Sequence, residues 1–298
     1  MENIKLACII AILAVSCYFV PKSFEHKLLP IVEGDFQPEF RDVAMAFRAN
    51  MEAGREKGAA FVVYHKGEPV FDMWAGYADR QSLRRWRNNT TTMMGLLNYS
   101  KPVTDYWPEF GSHGKQNITL EMLLSHQTGT HYFEEPISLR DLNTQQARID
   151  KPSTVFNDPE LREITLSSVS VTGTARGMAK LFSILSNQGQ YKGDQVLKQE
   201  TLTQLLTRTV TGVCPETGFH VSYTRGLQSF TNPYGETVYG QSGYGGQVVI
   251  ADPSNQLSMA YASSYLSIYE FGEDPRFTDL QSKLYTNLQR YIERQLKG

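Results

Sequence analysis

Ala59-Ala60-Phe61-Val62-Val63-Tyr64-His65-Lys66-Gly67-Glu68-Pro69-Val70-Phe71-Asp72-Met73-Trp74-Ala75 reads as two strands with a tight turn between them. Branched and aromatic residues fill 59–64 and 69–75, and His65 to Glu68 carries the turn. Upstream, from Gln37, the period changes. Phe40, Val43, Ala44, Phe47 and Met51 recur at three- and four-residue steps and predict a helix with one apolar face, closed by Gly54 and Gly58. The chain therefore opens helix, strand, strand. Far downstream the strand pattern returns at Tyr223 to Phe230, Thr237 to Gly240, Gln247 to Ala251 and Ser258 to Ser263, with Asp252 to Asn255 as a turn. Leu280, Leu284, Leu288 and Ile292 then mark a closing helix over 279–296. Between the two strand regions lie helices over 174–187 and 199–206. This order predicts an α+β fold with one antiparallel sheet assembled from both ends of the chain.

Composition bounds the function. The chain has 298 residues, 41% of them hydrophobic and 20% charged, with 29 basic and 31 acidic side chains and a net charge of −2. These values exclude a disordered, collagenous or coiled-coil chain. So even a charge balance gives no reason to expect nucleic acid as a partner. Three cysteines cannot build a disulfide framework. Six histidines form neither His-x-His nor His-Glu-x-x-His, so neither a metal nor any other cofactor is expected. Gly243 to Gly246 has no helix after it and fails as a phosphate loop.

Residues 6–20 form an apolar run after Lys5, too short for an ordinary membrane span and suited to a secretory signal peptide or signal anchor over residues 1–20. The expected location is the secretory pathway, secreted or held at a membrane by 6–20. A buried helix and a mitochondrial presequence are the alternatives, the latter disfavoured by the lack of arginine near the start. Sequons at Asn88, Asn89, Asn98 and Asn117 would then be open to glycosylation.

Several stretches resemble the serine β-lactamase-related family, which spans class C β-lactamases, penicillin-binding proteins and β-lactamase-like esterases. They are the opening hairpin (62–76), the block Lys101 to Phe110, the run Ile118 to Gly129 with its I-T-x-x-x-L-L-S-H-x-x-G pattern, and Gly240 to Pro253. The resemblance implies a β-lactamase/transpeptidase-like sheet flanked by helices, in a domain over 36–298. It also implies three catalytic motifs. A Ser-x-x-Lys opening a helix sets the lysine amine beside the serine hydroxyl. A Tyr-x-Asn or Ser-x-Asn supplies a base and an amide. A Lys-Thr-Gly or His-x-Gly on an inner strand lines the oxyanion site.

The first two motifs are not found where they belong. Only Asn88 to Met94 separates Arg87 from Gly95, with no serine or lysine among the seven, where the resemblance implies a long helix carrying the nucleophile. About 45 residues between Gly129 and Thr174 hold neither Tyr-x-Asn nor Ser-x-Asn, too few for the family's helical lobe. That lobe is expected to be largely missing. Ser112-x-x-Lys115 reads as a loop, Ser125-His126 as the end of a structural helix, and Tyr285-Thr286-Asn287 as part of the closing helix. Ser100-Lys101 is adjacent rather than one turn apart. The third motif survives in part as Gln241, Ser242 and Gly243. Gln241 can donate a hydrogen bond but brings no charge for a carboxylate.

Two readings stay open. One is a catalytically inactive or shortened member, with no catalytic residue and Gln241, Ser242 and Gly243 as a binding remnant. The other is an active acyl-serine hydrolase with its nucleophile elsewhere. Either would take a small acyl, ester or peptide-like ligand. Loss of the central helix is also expected to bare an apolar face of the sheet, which a protein partner would cover.

Overall fold

Strand alternation gives the central sheet two apolar faces, and each recruits helices. The computed structural model describes residues 31–79, 82–94, 114, 116–119, 171–213, 220–243, 246–264 and 273–297. The strands are β1 (Val32–Phe36), β2 (Gly58–His65), β3 (Glu68–Asp79), β4 (Arg84–Arg85), β5 (Thr91–Met94), β6 (Val171–Thr174), β7 (Gln190–Tyr191), β8 (Asp194–Gln195), β9 (Arg208–Val213), β10 (His220–Thr224), β11 (Gln228–Thr231), β12 (Thr237–Gly243), β13 (Gln247–Asp252) and β14 (Leu257–Ser263). The helices among the described residues are α1 (Arg41–Glu52), α2 (Ala175–Ser186), α3 (Gln199–Leu206) and α4 (Pro275–Lys297).

The large sheet runs β1-β3-β2-β14-β13-β12-β11-β10-β9, all antiparallel, with β4 paired to β3. The pairing of β2 with β14, Leu257 opposite His65 through Ser263 opposite Ala59, joins the two ends of the chain as the sequence implies. The β2–β3 turn has positive φ at Lys66 (51°) and Gly67 (82°), the conformation that suits the twist of a tight hairpin.

One face carries bulk. Phe61, Val63, Phe71, Met73, Ile250, Met259 and Tyr261 pack with Phe40, Phe47, Phe277, Leu280, Leu284 and Leu288 beneath α1 and α4. Each such side chain contributes roughly 1.5–3 kcal/mol of burial. The other face carries Ala60, Ala251, Ala260 and Ala262 beside Val62 and Val249, against Ala175, Met178, Ala179, Phe182 and Leu185 of α2. Alanines let that helix come close enough for Ser258 Oγ to donate to the Ala179 carbonyl at 2.8 Å. Thr174 caps α2, its hydroxyl accepting from the Gly177 N–H at 2.8 Å.

Several expectations shift. The sheet starts at Val32, ahead of the residue 36 boundary, because β1 pairs with β3 from Val32↔Ala75 to Phe36↔Phe71. The stretch 76–87, read as loop, instead extends β3 to Asp79 and folds back through β4, leaving Arg84 and Arg85 exposed. The single strand expected over 223–230 is two strands with a turn at 225–227, and β9 was not foreseen. The closing helix begins at Pro275, four residues early. Proline needs no N–H at that position, and Asp274 Oδ1 accepts from the Arg276 N–H at 2.9 Å. Over β2, β13 and β14 the alanine-rich face lies under α2. Ala60, Val62, Val249, Ala251, Ala260 and Ala262 are all buried. The stretches 95–113, 120–170, 214–219 and 265–272 lie outside the described residues, as do 1–30. With them go the apolar run, Lys101 to Phe110, Ser125-His126 and Leu142 to Phe156. Ser112 and Lys115 lie outside them as well.

Candidate functional site

β12 carries Gln241, Ser242 and Gly243, the residues expected to be the remnant of the third motif, and its neighbours decide what they can do. Gly240 faces Ile250 and Gln241 faces Val249 across the β12–β13 ladder. A Cβ on Gly240 would stand 2.0 Å from the Val249 carbonyl oxygen, so only glycine fits this approach of the two backbones. Gln241 is half-buried on the α2 side, and its Nε2 donates to its neighbour's carbonyl, Ser242 O, at 3.2 Å. Ser242 points to the opposite face. It is buried, and both its N–H and its hydroxyl donate to Gln228 Oε1 at 2.8 Å. Gly243 ends the strand exposed, with open space around the position of a Cβ. Of the three residues, Gln241 and Gly243 share the α2 side, and Ser242 serves the strand pairing beneath them.

Seven other described serines bond through their hydroxyls within the fold, Ser229 Oγ donating to Ser222 Oγ at 2.8 Å. Ser183 and Ser186 donate to carbonyls of their own helix, Ser258 to Ala179 O, Ser264 to Tyr77 O and Ser263 to Glu56. Tyr285-Thr286-Asn287 lies within α4, as the sequence implies. Tyr285 donates its hydroxyl to Asp252 Oδ2 at 2.6 Å, and Asn287 Nδ2 donates to Lys283 O. Burial and the Asp252 charge push the Tyr285 phenol well above its ordinary range, so it stays protonated.

Beside α2, Arg176 meets Asp72 at 2.5 Å and lies over the Trp74 ring at 5.6 Å. Burial raises the Asp72 carboxyl, opposed by the Arg176 guanidinium. At the surface, a hydrogen bond between Lys180 and Tyr191 raises the amine and lowers the phenol. Among the described residues, no cluster of three His, Cys, Asp or Glu side chains could hold a metal ion. None of their helices is long and apolar enough to cross a membrane.

Two buried titrating groups, Glu56 and His65, belong to no sequence motif. Glu56, in the loop after α1, accepts from the Tyr261 hydroxyl, from Ser263 Oγ at 2.6 Å and from Arg276, whose other face holds Asp274. Burial outweighs the arginine and raises Glu56 to about 7. His65 lies edge-on to Tyr291, 5.4 Å between ring centres, and burial with the Lys66 charge holds it down to about 4. Only an apolar neighbourhood assembled across the sheet produces either shift, and no local motif announces it.

The signs of these shifts oppose. His65 in the unfolded chain takes a proton near 6.5, and in the fold only near 4, so stability is lost as pH falls through that window. Glu56 is shifted the other way, and its contribution is lost as pH rises from 4.5 through 7. His65→Gln is expected to gain about 3 kcal/mol relative to the parent protein between pH 7 and pH 4. Urea unfolding across that range measures it, and a pH-independent difference would contradict a buried neutral imidazole.

A two-faced antiparallel sheet with helices on both sides, and a glycine-marked strand beside α2, define the β-lactamase/transpeptidase-like class. A family model described as Beta-lactamase matches residues 43–95, 92–156 and 140–281, and the chain belongs to that family. Among curated proteins it is similar to the "Esterase/beta-lactamase LipL" of Mycobacterium tuberculosis (strain ATCC 25618 / H37Rv), 34% identical over 116 residues. That match takes in 33% of this chain and only 27% of LipL. Among solved structures, a penicillin-binding protein homolog from Caulobacter crescentus superposes with a TM-score of 0.72 at 20% identity, covering 86% of this chain and 100% of that one. A family VIII carboxylesterase gives 0.72 at 23% with the same coverage. A class C β-lactamase from Rhodobacter sphaeroides gives 0.53 at 14%, covering 84% and 99%. At these identities the structural likenesses establish the fold alone.

Proposed function

We propose that this chain is a catalytically inactive, shortened form of a β-lactamase-related serine hydrolase, retaining the sheet and the third-motif strand as a binding remnant. The observation that carries this reading is where the family match divides. The match is broken into three stretches, which overlap at 92–95 and 140–156. The first break falls where seven residues stand in for the helix that would bring Ser-x-x-Lys. The second falls in the interval that holds no Tyr-x-Asn or Ser-x-Asn. β5 ends at Met94, directly before the first break's far side, and pairs with β6 from Thr91↔Thr174 to Met94↔Val171. Two breaks flanked by well-kept segments favour excised blocks over gradual drift. Without a nucleophile the acyl-enzyme route is closed, at a cost of several orders of magnitude in rate.

The alternative is an active acyl-serine hydrolase, supported by the names of relatives, LipL and the family VIII carboxylesterase among them. A serine-reactive fluorophosphonate and a chromogenic cephalosporin separate the two. Folded protein is expected to show neither labelling nor turnover. Labelling at one serine, lost on its change to alanine, would overturn the inactive reading. Sequencing the transcript tests the shortening by itself.

A further inference from the structure

β10 and β11 share a single ladder pair, Tyr223↔Gln228, although both continue beyond it. Just past that pair, Ser229 Oγ donates to Ser222 Oγ at 2.8 Å. Where the ladder stops, a cleft of about 620 Å³ opens between the β9–β10 hairpin, β11 and the first turns of α4. Its volume is that of a site for a small organic ligand. None of Gln241, Ser242 and Gly243 lines it.

The lining has three chemistries. Half-buried Phe230 provides apolar surface, with the buried Ile250 and Phe277 at its base. Hydroxyls of Thr211, Thr231 and Thr278 can exchange hydrogen bonds with amide groups. Two unlike charges, Arg208 at the start of β9 and Glu273 just before α4, lie on it, together with His220, Gln281 and the Ser222–Ser229 hydroxyl pair. Both charges are exposed, and neither forms an ion pair with the other or with another described residue. An unpaired cation and an unpaired anion on one cleft are complementary to a ligand bearing both signs, and the apolar surface asks for a hydrophobic body between them.

We propose that this cleft binds a short zwitterionic peptide with apolar side chains, its carboxylate toward Arg208 and its ammonium toward Glu273. The site is separate from the third-motif strand and needs no catalytic serine.

Leucyl-phenylalanine titrated into the full chain by calorimetry is expected to bind saturably, with Kd on the order of 0.1–1 mM. Amidating its carboxyl or acetylating its amine should each weaken binding roughly three- to tenfold. Arg208→Gln should abolish the penalty for amidation and leave that for acetylation. Glu273→Gln should do the reverse. Both positions are exposed, so the variants are expected to melt as the parent does, which a thermal scan checks. Absence of saturable binding up to about 10 mM, or blocking penalties that neither variant changes, would overturn the proposal.

Discussion

Arg276→Met is expected to destabilise the protein by about 3–5 kcal/mol near neutral pH, the largest loss from any single substitution considered. The guanidinium is 8% exposed and is shared by two buried carboxylates, Glu56 at 2.8 Å and Asp274 at 2.5 Å. It also reaches the Arg55 carbonyl and Ser263 Oγ, both at 3.5 Å. Methionine fills much of the space but takes away the counter-charge that Arg276 gives both acids in the interior. Glu56 already stands at about 7 with the arginine present, so without it the proton is held more tightly. The loss should therefore be smaller at pH 5.5 than at pH 8, because protonation relieves the unpaired charge. Denaturant unfolding at the two pH values measures this. Glu56→Gln in the Arg276→Met background should recover part of the loss at pH 8. A loss under about 1 kcal/mol at both pH values would mean that the cluster is not buried as described.

Asp252→Ala should cost about 4 kcal/mol by a different route. Asp252 is fully buried at the end of β13 and accepts from the Tyr285 hydroxyl at 2.6 Å, Asn232 Nδ2 at 2.9 Å and Asn255 Nδ2 at 2.8 Å. Asn232 and Asn255 also donate to Glu236. The network ties the β11–β12 turn and the β13–β14 turn to α4. Asp252 Oδ1 also accepts from the Asn255 N–H at 3.0 Å, so alanine removes the acceptor of four hydrogen bonds at once, one of them from a buried phenol. Tyr285→Phe removes one donor and should cost about 1 kcal/mol. The two changes together should cost less than their sum, because Tyr285→Phe deletes a donor that Asp252→Ala leaves without its acceptor. A double-mutant cycle in urea reads this coupling. Strict additivity would refute the network.

The elements legible in the sequence are those whose apolar pattern repeats within a few residues. The 59–75 hairpin, the helix under Ala175 to Ser186 and the leucine row of α4 all belong here, and the structure puts each where its period implies. β9 and β1 were not legible. Their burial alternates weakly, and pairing at a sheet edge, not packing on both faces, makes them strands. The end of β3 was hidden for a related reason. Polar residues that read as loop are held in a strand by pairing with Arg84 and Arg85.

The candidate site divides in the same way. The absence of Ser-x-x-Lys between Arg87 and Gly95 is a statement about residue identity, and the sequence alone makes it. Gln241, Ser242 and Gly243 were equally visible as a motif. That Ser242 turns away from Gln241 and is consumed by Gln228 depends on the register of β11 against β12. The sequence by itself determined the family and the two-ended sheet, since motifs and periodicity are local properties of the chain. Only the tertiary structure decided that Glu56 meets Arg276, that Asp252 meets Tyr285, and that Arg208 and Glu273 line one cleft. Those groups are far apart along the chain, and the burial that raises the Glu56 carboxyl and the Tyr285 phenol exists only once the sheet and α4 have packed.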